Sequence, residues 1–492
     1  MRIFVVLALM TAAPAGAVIA DVTDFGAKGD GRTDDRAAIQ AAIESVRSTG
    51  GTVLLPSPGQ YAVSSAIVLA DLNSVTLRGE GAHPASCTTR GSSLLSLTAN
   101  STLVVIERSG HIIVSDLLLA HVLANTSDAD RTNSTSSLGV GMGATSALAH
   151  SRHQHRHHRW HPRRVRADVH GSPVATDSLD AAPARTLPSS GVAVVVRDYA
   201  YDAILQRLWI EGVWGALEQV EFANTLTGED LTVLEVHGPN AVSMHGGSDG
   251  ARVDVMQLTR LTANQPGSAA QGFRGNVSVV WIDMGAGANT LRLDNVGLIN
   301  GGVGLRMAGD PNGPPGVAPG RPLFVYANDL EIDFPASNAV SLEVGEVCTL
   351  SNAYIQGSQS ANGILVGRNF DSEVQITNSR IFGHHLAGIE MAGGRHMLLS
   401  NNMIGDNSIA GPNASSAVVV RAGVSDFILS SNHIGAVFNA EQLAKHRFGI
   451  EIEAGSSQRY VVQGNTVTQN LAGGISDAGT GKGKSVANNV VA

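Results

Sequence analysis

A short pattern recurs through the second half of this chain and limits the folds that it can adopt. Each copy has a small residue, an apolar residue, any residue and, in all but the last copy, a second apolar residue. The steps between copies are 22 to 37 residues. Repeats of this length, with two or three short strands each, are typical of a parallel β-helix whose longer steps carry loops. The copies lie at 304–307, 341–344, 363–366, 388–391, 417–420, 449–452 and 474–476.

The composition agrees with an all-β solenoid. Glycine accounts for 56 of the 492 residues, which suits a turn-rich protein better than a helical bundle, where glycine is destabilising. Hydrophobic residues make up 43% of the chain and charged residues 15%, which excludes a disordered chain. Less regular copies of the pattern are also present from about residue 192. When these are counted, we expect eleven or twelve coils in a single-stranded helix.

A second strand, with asparagine near its centre, recurs between the copies. Asparagines at equivalent turn positions can stack from coil to coil through side-chain hydrogen bonds. We interpret them as scaffold and not as catalytic groups. They are Asn295, Asn328, Asn352, Asn378, Asn401, Asn402, Asn432 and Asn465.

The first residues have the layout of a secretory signal peptide. Arg2 precedes an apolar stretch, and small residues end at Ala17. We therefore expect a signal peptide over 1–17, a β-helix domain over 18–492, and a secreted or periplasmic protein. After signal removal no apolar run approaches 18 residues, so we expect no membrane-spanning segment.

The segment 24–50 predicts a helical cap at the start of the β-helix. Thr33 can cap a helix, and Ile39, Ala42, Ile43 and Val46 follow helical spacing, which makes one face apolar. A helix of this kind can close the open end of a solenoid.

The run from Asp24 to Ile43, followed by Gly51-Thr52-Val53 and Pro56, resembles the N-terminal signature of the pectate-lyase-like right-handed β-helix superfamily. This superfamily includes rhamnogalacturonase–epimerase-like and glycoside hydrolase family 28-related proteins, polysaccharide lyases, alginate epimerases and tailspike depolymerases. The resemblance implies a right-handed parallel β-helix and a polysaccharide as the partner molecule. It does not imply one reaction, because its members differ in chemistry.

Known catalytic motifs of that superfamily are missing. The polygalacturonase set (Asn-Thr-Asp, Asp-Asp, Gly-His-Gly and Arg-Ile-Lys) and the alginate epimerase Asp-Pro-His-Glu block are both absent. The string 280–283 resembles the Val-Trp-Ile-Asp-His block of one pectate lyase family, but Met284 stands in place of the histidine. These departures leave the fold prediction intact and put any named activity in doubt.

One region, about 124–190, lacks strand alternation and predicts an irregular insertion. Its stretch 150–170 holds seven histidines and six arginines with one acid, Asp168. We interpret it as a surface insertion. The alternatives are a loop that attracts an acidic polymer and a metal site, although no ordered ligand spacing is present.

The middle residue of each repeat predicts a row of outward side chains, because side chains in a strand alternate between two sides. This places Asp283, Arg306 and Glu343 on adjacent coils, with the two carboxylates about 9.6 Å apart at the backbone. Hydrolysis of a glycoside uses one protonated and one ionised carboxyl group, about 6.5–9.5 Å apart for inversion. An arginine between them would keep one carboxylate ionised. The three residues are therefore catalytic candidates, and an ordinary surface salt-bridge ladder is the alternative.

Substrate-binding candidates lie on the same predicted face. They comprise charged or histidine side chains in neighbouring coils and two tryptophans whose rings can stack on a sugar. Trp281 alternates outward in this reading. The candidates are Trp281, His245, Glu390, Trp214 and Arg197.

Two other functions remain open. A polysaccharide lyase or epimerase needs a base, which Arg306 or His245 could supply, and a group that neutralises the uronate carboxylate. Calcium is the cofactor expected in that case, with Asp283 and Glu343 as ligands; a hydrolase would need no metal. A non-catalytic glycan-binding envelope or surface protein is the third possibility.

The net charge of −9 comes without a dispersed basic stripe, so we expect no nucleic-acid partner. The expected oligomeric state is a monomer or a homotrimer.

Overall fold

The computed structural model describes residues 18–83, 91–98, 100–121, 191–265, 278–436, 445–455 and 457–492. The predicted signal peptide and the predicted insertion lie outside the described residues. The described part contains one 3-10 helix, η1 (Val22–Phe25), one α-helix, α1 (Arg36–Ser45), and 37 strands. None of its helices combines the length and the apolarity needed to cross a bilayer.

The first sixteen strands lie N-terminal to the candidate site described below or contribute its first residues. They are β1 (Ile19–Asp21), β2 (Asp30–Asp34), β3 (Gly51–Leu54), β4 (Gly59–Val63), β5 (Ile67–Ala70), β6 (Val75–Arg78), β7 (Ser92–Ser96), β8 (Val104–Glu107), β9 (Gly110–Ser115), β10 (Leu118–His121), β11 (Val192–Arg197), β12 (Tyr201–Gln206), β13 (Trp209–Glu211), β14 (Gly215–Val220), β15 (Thr225–Leu234) and β16 (Asn240–His245).

The remaining strands complete the repeat. They are β17 (Val253–Asn264), β18 (Val280–Met284), β19 (Ala288–Ile299), β20 (Val303–Met307), β21 (Phe324–Asp333), β22 (Val340–Ser351), β23 (Tyr354–Gln356), β24 (Ile364–Thr377), β25 (Arg380–Phe382), β26 (Ile389–Met391), β27 (Met397–Ser400), β28 (Met403–Gly405), β29 (Val418–Val420), β30 (Phe427–Ser430), β31 (His433–Gly435), β32 (Phe448–Gly455), β33 (Val461–Gln463), β34 (Thr466–Thr468), β35 (Gly473–Gly479), β36 (Ser485–Ala487) and β37 (Val490–Val491).

These strands form three parallel ladders, which we name faces A, B and C, and the chain visits them in the order C, A, B in each coil. Face A contains β1, β3, β6, β9, β12, the first parts of β15, β17, β19 and β21, the second parts of β22 and β24, then β27, β30, β33 and β36. Face B contains β2, β4, β7, β10, β13, the second parts of β15, β17, β19 and β21, then β23, β25, β28, β31, β34 and β37. Face C contains β5, β8, β11, β14, β16, β18, β20, the first parts of β22 and β24, then β26, β29, β32 and β35.

This arrangement is a parallel β-helix, and the predicted fold class is confirmed. Face C alone has 13 strands in the described residues, one or two more than the expected coil number. The extra coils lie towards the N-terminus, where the strands lack the glycine signature on which the count was based.

The core fills the space between the three faces. On face C, Met284, Met307, Leu342 and Val366 are fully buried and lie in register on successive coils. These are the apolar positions of the repeat, so the period of two in each strand separates core residues from outward ones.

The predicted N-terminal helix is present as α1. Its buried residues Ile39, Ala42 and Ile43 belong to the hydrophobic core, and the helix contacts β1, β3 and β5. Its role as a cap of the solenoid stays a prediction.

A ladder of buried asparagines lies at the turn between faces A and B, and we call it the asparagine ladder. The side-chain amides of Asn402, Asn432 and Asn465 each donate to the carboxamide oxygen of the next member, at 3.0, 2.9 and 2.9 Å, and Asn489 accepts the last of these bonds. Each amide also donates to a backbone carbonyl of an adjacent coil. The predicted scaffold role agrees with this geometry.

Other predicted asparagines occupy the position just before this ladder. Asn295, Asn352, Asn378 and Asn401 have φ between 54 and 58°, in the left-handed region. Asparagine tolerates that conformation better than most residues, so these side chains serve the turn itself.

Candidate active site

Five outward residues of face C lie in register on five successive coils and define the candidate site. Strands β14, β16, β18, β20 and β22 pair residue by residue here. The row that results is Glu218, Ser243, Asp283, Arg306 and Ser341. Asp283 and Arg306 are thus one rung apart, as the repeat predicts.

The carboxylate of Asp283 is only partly compensated by hydrogen bonds. Its Oδ2 accepts a hydrogen bond from Asn240 Nδ2 at 3.1 Å, while its Oδ1 is buried and has no hydrogen-bond partner among the described residues. Burial raises the pKa of Asp283, the charge of Glu343 adds to this, and the charges of Arg306 and His245 oppose it. A carboxyl group of this kind retains its proton to a higher pH than an ordinary aspartate.

Arg306 binds Glu343 through both branches of its guanidinium. Nε and Nη2 of Arg306 donate to Oε1 and Oε2 of Glu343 at 2.9 and 3.0 Å, and Ser341 Oγ donates to Oε1 at 3.3 Å. Burial acts to lower the pKa of Arg306, but Glu343 and Asp283 raise it overall. The guanidinium therefore stays charged between two carboxyl groups.

His245 and Glu218 form a second pair on the N-terminal side of Asp283. Glu218 Oε1 lies 3.0 Å from His245 Nε2, and the Glu218 side chain is only 2% exposed. Glu218 Oε2 is buried without a hydrogen-bond partner among the described residues. A buried carboxylate that holds one ring nitrogen orients the imidazole, as in many sites that use histidine for proton transfer. We call Glu218, His245, Asp283, Arg306 and Glu343 the acid–base cluster.

The register of two cluster members differs from the prediction. The residues level with Asp283 and Arg306 are Ser243 and Ser341, whereas His245 and Glu343 stand two positions further along their strands. A shift of two residues preserves the outward direction, because side chains repeat every second residue. His245 and Glu343 therefore still reach the same face, on its edge towards face A.

The prediction that Trp281 is an exposed sugar platform is wrong. Trp281 is 1% exposed and belongs to the hydrophobic core. A Cβ on Gly301 would lie 2.5 Å from the indole nitrogen, so the ring packs under the turn of the next coil. Strict alternation fails here because Trp281 lies near the corner where the chain enters face C, and both Trp281 and Ile282 are buried.

Trp214 is the tryptophan that lies exposed beside the cluster. Its side chain is 37% exposed, and it lines a small recess with Glu218, Asn240 and Ser243. An exposed indole at the rim of a polar site can stack on a sugar ring. This agrees with its predicted role in substrate binding.

The other two predicted binding residues lie apart from the cluster. Arg197 on β11 is paired with Glu107 of the preceding coil at 3.0 Å. Glu390 on β26 accepts a hydrogen bond from Arg421 at 2.8 Å and another from Asn362 at 3.0 Å. The structure therefore gathers Asp283, Arg306, Glu343 and His245, and leaves Arg197 and Glu390 in separate ion pairs.

The cluster does not fit the calcium site considered from the sequence. Arg306 binds Glu343 and lies next to Asp283, so a cation between the two carboxylates would meet a guanidinium there. Within the described ranges no three or more histidine, cysteine, aspartate or glutamate side chains gather as a metal site. We derive no reaction step through a metal at this place.

Glu218 and Asn240 belong to the site but are not among the candidates given above from the sequence. Both are on strands whose repeat signal is blurred, β14 and β16. For Glu218 the available signal was a charged residue in the mostly apolar or small stretch 215–220, since a charged group in a buried strand needs a partner.

Two parts of the chain match protein-family models. Residues 19–148 match a model described as "Rhamnogalacturonase A/epimerase, pectate lyase-like", and residues 325–491 match "Right handed beta helix region". These matches confirm the resemblance predicted from the N-terminal signature and the right-handed β-helix.

Among curated proteins, short segments show high identity. The chain is 64% identical over 45 residues to alginate lyase 7 of Azotobacter vinelandii, covering 9% of this chain and 5% of that protein. It is 62% identical over 47 residues to mannuronan C5-epimerase AlgE6 of the same organism, again covering 9% and 5%. The matched segment thus spans about one twentieth of the length of these relatives.

Among solved structures, the N-terminal fragment of gene product 12 of bacteriophage phi29 superposes with a TM-score of 0.54 at 13% identity. The match covers 94% of this chain and 71% of the phage fragment. At this identity the likeness concerns the fold alone.

Proposed function

We propose that this pectate-lyase-like β-helix protein is a secreted polysaccharide-cleaving enzyme, with a glycoside hydrolase reaction at the acid–base cluster. The observation that carries the proposal is the Asp283 carboxyl group, which has a raised pKa and one buried oxygen without a partner, one rung from a charged arginine. Groups whose environments push their pKa apart mark acid and base roles.

In this reaction Asp283 donates its proton to the oxygen of the leaving sugar. Glu343, which accepts two hydrogen bonds from Arg306, takes a proton from the water that attacks the anomeric carbon. Glu343 lies two coils from Asp283 and two residues further along its strand, which is roughly 12 Å at the backbone, and this wide spacing leaves room for that water and favours inversion of configuration. The proton gained by Glu343 returns to solvent, and Asp283 is reprotonated from solvent.

A lyase or C5-epimerase reaction on a uronate is the second candidate, and the His245–Glu218 pair favours it. A histidine oriented by a buried glutamate can remove a proton next to a carboxylate, and Arg306 can bind that carboxylate. The short segments shared with an alginate lyase and a mannuronan C5-epimerase support this candidate, although they cover 5% of those proteins.

The test is a screen of the purified chain against neutral and uronate polysaccharides, with three readouts. New reducing ends without absorbance near 235 nm indicate hydrolysis, and reducing ends with that absorbance indicate elimination. Deuterium incorporation without cleavage indicates epimerisation. Cleavage without the absorbance is the result we expect, and a binding-only protein would give none of the three signals.

The variant Asp283→Asn assigns the activity to the cluster. We expect activity to fall about 10²–10⁴-fold, the usual contribution of a general acid or base. The matched control is Asp294→Asn, because Asp294 is an exposed aspartate of the same coil on face A, where it accepts a hydrogen bond from Asn328. Activity that survives in Asp283→Asn at the level of the control would refute the assignment.

A further inference from the structure

We infer that two exposed aromatic side chains, Tyr199 and Phe222, form a sugar-binding subsite for a neutral residue of the polysaccharide. Their rings are stacked, with centroids 5.1 Å apart and planes 6° apart. Tyr199 is 66% exposed and Phe222 is 37% exposed. We call them the aromatic pair. The inference deepens the proposed function and rests on it, because it concerns the sugar that the enzyme holds beside its acid–base cluster.

The aromatic pair lies at the turn between faces C and A, next to the acid–base cluster. Tyr199 follows β11, and Phe222 follows β14, the strand that carries Glu218. Strand β14 pairs with β16 and β16 pairs with β18, so Phe222 is two coils before Asp283, or about 9.6 Å along the solenoid. A polysaccharide that extends from Asp283 towards the N-terminal coils therefore passes the pair.

The backbone conformation of the pair is one that aromatic residues rarely adopt. Tyr199 and Phe222 have φ of 62 and 63°, in the left-handed region that is unfavourable for bulky side chains. When the strand register is continued into the turn, the next two coils have Gly247 and Gly287 at this position, with φ of 84 and 76°. Glycine adopts this conformation without strain, so the fold alone would favour glycine in the pair as well. Residues held in such strained conformations cluster at ligand sites.

A second aromatic stack shows the properties of a structural pair in this protein. Phe427 and Tyr460 stack with ring centroids 4.7 Å apart and planes 4° apart, and both are fully buried in the core. The removal of their rings from water stabilises the fold. Tyr199 and Phe222 give up much of that stabilisation, because they leave apolar surface in contact with water. A sugar ring that rests its C–H face on the pair would cover this surface.

The carboxylate of Glu221 indicates that the bound sugar is neutral. Glu221 directly precedes Phe222, is partly exposed, and its side chain has no hydrogen-bond or ion-pair partner among the described residues. Asp198, level with it on the preceding coil, adds a second carboxylate, which Arg197 partly neutralises at 3.6 Å. An ionised carboxylate accepts hydrogen bonds from sugar hydroxyl groups and repels the carboxylate of a uronate. The subsite therefore suits a neutral sugar.

A loop borders the aromatic pair on the side of the acid–base cluster. The loop 309–322 lies on the turn of the next coil, where the amide of Ala318 donates to the carbonyl of Ala251 at 2.8 Å. Because the loop occupies the turn beyond Phe222, a sugar chain bound at the pair continues over face C, towards His245. This path connects the subsite with the site of the reaction.

The test removes both rings at positions where the backbone tolerates their loss. Tyr199→Gly with Phe222→Gly places glycine where the next two coils already have it. We therefore expect no fall in the melting temperature of this double variant. A pair that served only the fold would lower the melting temperature when removed and leave sugar binding unchanged.

Binding is measured by calorimetry in the Asp283→Asn protein, in which turnover does not consume the probes. The neutral probes are hexasaccharides of glucose, of mannose and of xylose, and the anionic probe is hexagalacturonate. We expect Tyr199→Gly with Phe222→Gly to raise the Kd of the tightest neutral probe about tenfold or more, which corresponds to about 1.4 kcal/mol. Added salt should leave this Kd unchanged, because stacking of a neutral sugar does not depend on charge.

The matched control is Phe334→Gly, because Phe334 is also an exposed aromatic residue in the left-handed conformation. It is 48% exposed, has φ of 52° and follows β21 at the turn between faces B and C. This variant should leave every Kd within about twofold. The inference fails if the double variant binds the neutral probes as the control does, if hexagalacturonate binds more tightly than every neutral probe, or if no probe binds.

The subsite and the enzyme can be refuted independently. Loss of neutral binding in the double variant, in a protein that cleaves no polysaccharide, would support the subsite and refute the enzyme. Cleavage that depends on Asp283, with the same KM in the double variant as in the natural protein, would support the enzyme and refute the subsite.

Discussion

The asparagine ladder and the acid–base cluster both place polar side chains in the coils of one solenoid, but their hydrogen bonding differs. Asn432 donates and accepts at every position of its carboxamide. Asp283 and Glu218 each have a buried oxygen without a partner in the described part of the chain. Buried polar groups are normally satisfied, so an unsatisfied pair on one face needs an explanation.

The difference suggests that polar side chains have different roles at the turn between faces A and B and on face C. The ladder repeats one residue type from coil to coil, and its stabilising effect comes from that repetition. Along the row of face C that carries the cluster, the residue type changes from coil to coil, from glutamate through serine and aspartate to arginine. Repetition serves stability, whereas a run of unlike ionisable groups with unmet hydrogen bonds serves chemistry.

The largest expected effect on stability is at the ladder. Asn432→Ala removes the acceptor of two bonds from Asn402 and the donor to Leu399 and Asn465. Since each buried group left without a partner costs about 1–3 kcal/mol, we expect the free energy of unfolding to fall by roughly 2–5 kcal/mol. Denaturant unfolding measures the loss. The specific activity of the folded fraction should stay unchanged, and a loss below about 1 kcal/mol would contradict the scaffold role.

The next largest effect is a gain in stability, and it comes from the substitution of Asp283 in the cluster. The pKa of Asp283 is raised in the folded protein, because its charged form is desolvated, so the folded state binds this proton more tightly than the unfolded state. Ionisation of Asp283 therefore reduces stability as pH rises from the ordinary aspartate pKa towards the raised one. Asp283→Asn, which cannot ionise, should be more stable than the natural protein at neutral pH.

The pH dependence tests that explanation. The gain in melting temperature of Asp283→Asn should shrink as pH falls towards about 4, because the unfolded state then begins to bind the proton that the folded state already holds. Thermal unfolding of both proteins between pH 4 and 8 measures it. A gain in melting temperature that does not depend on pH, or a loss at neutral pH, would show that the desolvated carboxylate of Asp283 does not destabilise the folded protein.

The smallest effect should come from an exposed asparagine of the same turn. Asn352 has φ of 55° and donates to Asn328 at 2.9 Å on the exposed side of the turn. Asn352→Gly keeps the left-handed conformation, so we expect a change within about 0.5 kcal/mol by denaturant unfolding. A loss as large as that of Asn432→Ala would erase the distinction between the two asparagine positions.

Much of the fold could be predicted because each copy of the sequence repeat corresponds to one coil of the structure. Apart from Glu343, the residues between the apolar positions, from Asp283 and Arg306 to Glu451 and Ser476, do lie in register on face C. Parallel stacking turns a sequence period into a spatial neighbourhood, and the pairing of Asp283 with Arg306 follows from it.

The rest of the site lies where the period is broken. Trp281 lies near a corner, where the bend of the chain interrupts the alternation of side chains. Glu343 lies two residues further along its strand than the repeat pattern predicts. Side chains in such places are located by the backbone path of each coil, and that path is set by long-range packing.

The spacing of the coils also acts as a ruler. An oligosaccharide too short to reach from Asp283 to the exposed ring of Trp214 would touch one of the two and not both, whatever its affinity for either. The oligosaccharide length at which affinity rises would then depend on the number of coils between the two contacts. A contact one coil further away would lengthen the required oligosaccharide by about 4.8 Å.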